Sequence, residues 1–128
     1  MFGIFHLFGR RADLKTLDHA LREVGLHPLT VPEAVKLTTI RLLKDEAQSN
    51  ARPSEAACRS AAQLLGYCLQ GRDEFIANNS IGSADHAEQR LHDAIAAGDS
   101  LDARLVLLTL HAGMIADEIG ERFDLDSG

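Results

Sequence analysis

The sequence predicts an all-α, single-domain bundle of about five helices with the last long helix, residues 101–123, at its centre. Three observations predict it. Leu101, Leu105, Leu108, Ala112, Ile115, Ile119 and Phe123 recur at alternating spacings of four and three, which draws one apolar stripe down about six helical turns. Val106, Leu107, Leu110 and Met114 lie between them, so this helix needs cover on more than one side, from neighbours or from a second copy. Aromatic residues make up only 5% and Trp is absent, while Ala and Leu are abundant. That composition favours helix over strand, since sheets prefer β-branched and aromatic side chains.

The elements follow in chain order. Residues 1–11 form an apolar segment ending in Arg10-Arg11. Helix 1 is expected from about Asp13, which offers a cap, to Val24, with Leu14, Leu17, Leu21 and Val24 inward and Gly25 as the left-handed stop. His27-Pro28 is a connector, because a residue before proline avoids helical dihedrals. Thr30 and Glu33 have capping-box spacing around Pro32. Helix 2 then runs to about Gln48, with Val35, Leu37, Ile40, Leu42, Leu43 and Ala47 inward and Lys36 and Lys44 outward.

Helix 3 is expected as one long helix from Ser54 to about Ala77, because its apolar period continues through Gly66 and Gly71. Its first half, with Ala56, Ala57, Ser60, Ala61 and Ala62, lets another helix approach closely. Helix 4 starts at Ser83 after a connector at 78–82, and Ala87, Leu91, Ala94 and Ile95 face inward to Gly98. Asp99 or Ser100 opens helix 5 after a very short loop, making helices 4 and 5 an antiparallel hairpin. Leu108 is expected to be fully buried at the centre. Residues 124–128 are expected to fray.

A chain of 128 residues is long enough to bury a core without staples. The net charge of −6 argues against a nucleic-acid surface, which needs clustered Lys and Arg. The charge is uneven. Residues 1–52 hold eight basic and six acidic side chains, and the remainder holds five basic and thirteen acidic. The plain consequence is attraction between the halves of one bundle; the sharper one is a basic end meeting an acidic end of another subunit. Cys58 and Cys68 are ten residues apart, roughly 15 Å along a helix, too far for a disulfide between them. Buried, reduced thiols and a cytoplasmic location are therefore expected. No stretch reaches the ~20 apolar residues needed to cross a bilayer, and an apolar run followed by arginines reverses the order of a signal peptide.

No catalytic motif stands out, and no enzymatic activity or cofactor is expected. The six histidines include no Glu-x-x-His and no His-x-x-x-His pair, the spacings that place two ligands on one helix face. His86 and His92 lie roughly 120° apart around a helix. The best polar constellation is Arg104, His111 and Glu118, whose sevenfold spacing makes a line beside the apolar stripe. A metal or small ligand beside that line, with His111 and Glu118 as weak metal candidates, is the alternative to a plain solvent boundary.

Phe2, Phe5 and Phe8 hold three of the five phenylalanines and are spaced as one aromatic ridge. The ridge suits docking into a partner groove or cover for the chain's own core; a membrane-surface foot with Arg10 and Arg11 on anionic lipid is the weaker alternative. The leading expectation is a small acidic helical protein acting through protein–protein interaction, as a homodimer first and with another protein second. Phe2, Phe5 and Phe8 would dock, and Leu107, Leu110 and Met114 would form the second face of the last helix.

Overall fold

The computed structural model describes the backbone of residues 2–125 and the side chains of residues 11–125. Seven α-helices and no strand occur among them: α1 (Phe2–Glu23), α2 (Glu33–Ala47), α3 (Glu55–Gln70), α4 (Arg72–Asn78), α5 (Ile81–Ala97), α6 (Leu101–His111) and α7 (Asp117–Arg122). A single 3-10 turn, Pro28–Thr30, precedes α2.

The centre of the bundle is α3, not the last helix. It packs against α1, α2, α4, α5 and α6, and Cys58, Ala61, Ala62, Leu64, Leu65, Tyr67 and Cys68 are all buried. Of the small residues in its first half, Ala61 and Ala62 are buried, Ala57 is half-buried, and Ala56 and Ser60 are exposed. Cys58 and Cys68 are both unbonded and share this one helix.

The expected helices 3 and 5 are each two helices. Gly71 (φ +85°, ψ 168°) ends α3 and opens α4, a conformation almost confined to glycine. The expected helix 101–123 stops at His111, where Gly113 adopts φ +68°. Gly113 N donates to Leu110 O and Met114 N to Thr109 O, both at 3.0 Å, the paired bonds of a glycine C-terminal stop. The chain then reaches back to the centre: Ala116 N donates to Cys68 O at 2.8 Å, occupying a carbonyl that the end of α3 leaves free.

This changes which face is inward. The buried face of α6 is Ala103, Leu105, Val106 and Thr109, with Ile119 of α7 also fully buried. Leu108, expected at the centre, is only half-buried, and Ala112 is exposed. Ile95 and Ala47, expected inward, are exposed as well.

Charged positions also differ from expectation. Asp13 is not a cap, because α1 begins at Phe2; it is buried and pairs with Lys44 at 2.8 Å. Lys36, expected outward, is buried against α1 with its ammonium 3.0 Å from Asp18. Two part-buried cation–anion pairs thus join α1 to α2, which is where part of the basic half's charge goes. No capping box forms at α2: Thr30 Oγ1 donates to His27 O at 2.6 Å, and the first turn of α2 has no side-chain cap. The cap of α5 is Ser80 rather than Ser83 and accepts from Ser83 N at 3.0 Å. The α5–α6 hairpin forms as expected, with Gly98 at φ +84° and Ser100 capping Ala103 N at 3.1 Å. Arg90 locks it: Nε and Nη2 fork onto Asp102 at 2.9 Å each, and Nη1 donates to Ser60 O of α3 at 2.8 Å.

Candidate functional site

Two features meet at α7 and the residues that follow it. One is a polar clamp; the other is an apolar groove whose wall the clamp holds in place.

The clamp is built on Tyr67, fully buried on α3. Its hydroxyl donates to Glu88 Oε1 of α5 at 3.1 Å and accepts from Arg122 of α7 at 3.4 Å. Arg122 also donates to Glu88 at 2.7 Å. Arg72, at the start of α4, donates to Asp85 of α5 at 2.7 Å. Its Nη1, the one buried side-chain nitrogen or oxygen without a hydrogen bond among the described residues, faces Glu88 at 3.8 Å. Glu118 Oε1 accepts from the backbone N–H of Arg72 at 2.9 Å, capping α4 from α7. Burial and the adjacent Glu88 carboxylate hold the Tyr67 hydroxyl above its usual range. Each carboxylate here faces a guanidinium or an N–H, so what the arrangement does chemically is fix α4, α5 and α7 onto α3. The ring of Phe123 against His92, centroids 4.8 Å apart, adds an apolar tie.

The groove runs between α5 and α6. Its apolar part, about 150 Å³, is lined by Ala94, Ile95, Gly98, Ala103, Val106, Leu107, Leu110 and Leu125. At Leu110 and Leu125 it continues into a wider depression lined also by Ile115, Asp117, Glu121 and Asp124. Four large apolar side chains stand exposed among the described residues, namely Leu29, Ile81, Ile95 and Leu107. Single exposed apolar residues are ordinary on protein surfaces. Two of these four, Ile95 at 47% and Leu107 at 43% exposure, line the same groove. Leu125 reaches it because the chain after α7 folds back, Leu125 N donating to Gly120 O at 2.8 Å.

The residues singled out in the sequence are distributed as follows. Leu107 and Leu110 line the groove. Met114 is half-buried against the core beyond the Gly113 turn. The side chains of Phe2, Phe5 and Phe8 lie outside the described residues. Arg104 and His111 are exposed on α6, but the turn at Gly113 takes Glu118 off their line and into the clamp. That corrects the expected Arg104–His111–Glu118 constellation, whose spacing assumed one helix. Among the described residues no group of three or more His, Cys, Asp or Glu is placed to hold a metal ion. None of their helices is long and apolar enough to cross a membrane.

Sequence reasoning missed Tyr67, Arg72, Glu88 and Arg122 as a set. They come from four helices separated by up to 55 residues, and no local window holds them. Fold and surface together define an all-helical bundle with an apolar groove walled by a clamped C-terminal turn. The chain matches no family model, no curated protein and no solved structure.

Proposed function

We propose that this chain is a protein-interaction module that binds through the α5–α6 groove, and that its first partner is a second copy of itself. The observation that carries the reading is the pairing of exposed Ile95 and Leu107 in one groove, floored by Leu110 and Leu125. Covering a large apolar side chain contributes roughly 1.5–3 kcal/mol, so a partner that buries both gains from the contact. The apolar part, about 150 Å³, opens into a depression of about 460 Å³ rimmed by carboxylates, an open trough that suits a segment of another chain better than the enclosed, mostly apolar pocket of a small molecule. The clamp holds α7 and Leu125 in position beforehand, which spares a partner the cost of ordering them. A reducing cytoplasm suits the two buried, unbonded thiols of Cys58 and Cys68.

Light scattering across a concentration series tests this, on the full chain and on Ile95→Glu/Leu107→Glu. The wild-type mass is expected to rise from that of the 13.9 kDa chain toward twice it, while the double variant stays monomeric. Both positions are exposed, so the variant should keep its melting transition within about 0.5 kcal/mol per site. A wild-type chain still monomeric near 1 mM, where even a contact of about −4 kcal/mol would be half occupied, refutes self-association.

A further inference from the structure

We infer that the occupant of the groove is the segment Phe2–Arg11 of a second copy, its aromatic ridge lying along Leu107 and Leu110 and its arginines meeting Glu121 and Asp124. This rests on the groove proposed above and names its ligand. The two surfaces match in chemistry and in order. Along the groove, the apolar part gives way at Leu110 and Leu125 to a depression rimmed by Asp117, Glu121 and Asp124. Along the segment, Phe2, Phe5 and Phe8 give way to Arg10 and Arg11. The acidic rim belongs to the part of the chain that carries five basic against thirteen acidic residues, whereas the segment itself has no acidic residue. Apolar contact supplies cohesion, and the charged ends set the direction in which the segment lies.

The geometry favours a second copy over the chain's own N-terminus. Asp18 faces Lys36 and Asp13 faces Lys44, so α1 and α2 run antiparallel, and α2 ends at Ala47, within a turn of Lys44. The backbone of α1 continues from Asp13 back to Phe2, roughly 16 Å at 1.5 Å per residue. That extension leads away from Val24, which lies beside the C-terminal end of α3 through its carbonyl, 2.8 Å from Gln70 Nε2. The groove's acidic rim is at this same C-terminal end, where Ala116 joins Cys68. The segment and the rim of one copy therefore point to opposite ends of the bundle. Reciprocal exchange of segments between two copies gives two identical contacts and closes a dimer.

Charge reversal in the full-length protein tests this, read by light scattering and by circular dichroism melting. Arg10→Glu/Arg11→Glu alone, and Glu121→Lys/Asp124→Lys alone, should each weaken self-association at least tenfold. Mixed one to one, the two variants should associate again as a heterodimer, through one contact in which reversed charges meet and one that pairs the unchanged segment with the unchanged rim. The cross-link is independent of charge: Phe5→Cys protein mixed with Leu107→Cys protein should give a disulfide-bonded heterodimer under mild oxidation. Self-association lost in Leu107→Glu but indifferent to Arg10→Glu/Arg11→Glu and to removal of residues 2–9 overturns this inference and leaves the groove as an interface for another surface. Loss of the cooperative melt on removing residues 2–9 from a monomer overturns it too, since the segment would then cover its own core. Retention of the dimer without residues 2–9, with anionic vesicles binding only the intact chain, assigns the segment to lipid and overturns it as well.

Discussion

Gly71→Ala separates two accounts of residues 54–77 by the sign of its effect. If they formed one continuous helix, replacing a helical glycine by alanine would stabilise the protein by about 1 kcal/mol. In the structure Gly71 has φ +85° and ψ 168°, a region that costs a residue with a Cβ about 1–3 kcal/mol. Space is not the obstacle. An added Cβ would sit 3.6 Å from Glu118 Oε1 and 3.7 Å from Ala116 Cβ, ordinary contacts, so the cost is backbone conformation alone. Escape into a continuous helix would forfeit the bond from Arg72 N to Glu118 at 2.9 Å and swing fully buried Phe75 off the core. The expected outcome is a loss of about 2 kcal/mol. With a urea slope of about 1–3 kcal/mol/M, the unfolding midpoint followed by far-ultraviolet circular dichroism should fall by about 1 M without a change of slope. A midpoint that rises, with more helical signal, refutes the break and with it the clamp that depends on α4.

Three further outcomes are expected. Gly66→Ala should not deliver the usual helical gain, because its Cβ would lie 2.9 Å from Val24 Cγ2 and 3.3 Å from Phe75 Cε1; a clear rise in midpoint would show that α1 and α3 are packed less closely. Tyr67→Phe should cost about 1–2 kcal/mol, the worth of a buried hydrogen bond to a carboxylate, because Glu88 keeps Arg122 at 2.7 Å; a neutral result would mean the hydroxyl contributes nothing to the clamp. Burial pushes the Cys68 thiol up from 9.0 to about 12, so the unfolded chain releases this proton first as pH rises. Its contribution is whole below pH 9 and is lost between pH 9 and 12, at no more than about 1.4 kcal/mol per pH unit. Cys68→Ala should flatten that part of the denaturation profile, and an unchanged alkaline slope would count against burial of the thiol.

The sequence made the helical class and the α5–α6 hairpin legible because both are written locally. The apolar period of 3.6 residues, Gly98 and Ser100 all act within a turn or two of their own position. The two missed breaks are different. Gly71 and Gly113 looked like other glycines in a periodic run, and what stabilises each break comes from far away. Glu118 caps Arg72 across 46 residues, and Cys68 O accepts from Ala116 N across 48. The apolar stripe from Leu101 to Phe123 was real as a pattern, but hydrophobic periodicity reports which residues want cover, not whether the backbone stays straight between them. Lys36 and Asp13 were misplaced for a related reason. A charge reads as outward until its partner on another helix is known.

The groove itself follows from a break that the sequence concealed. A helix continuing past His111 would carry Ile115, Ile119 and Phe123 along its own axis and away from the end of α3. The turn at Gly113 instead returns the chain to Cys68, seats Ile119 in the core and brings Leu125 beside α6. That return leaves Leu107 exposed in the groove beside buried Val106, with Leu110 and Leu125 as floor and Glu121 and Asp124 as rim of the adjoining depression. Of Leu107, Leu110 and Met114, which the sequence marked as a second face, Leu110 and Met114 are half-buried and Leu107 is exposed. The open remainder is a small apolar site with a fixed wall and an acidic end, which is the kind of surface an apolar segment followed by two arginines would complete.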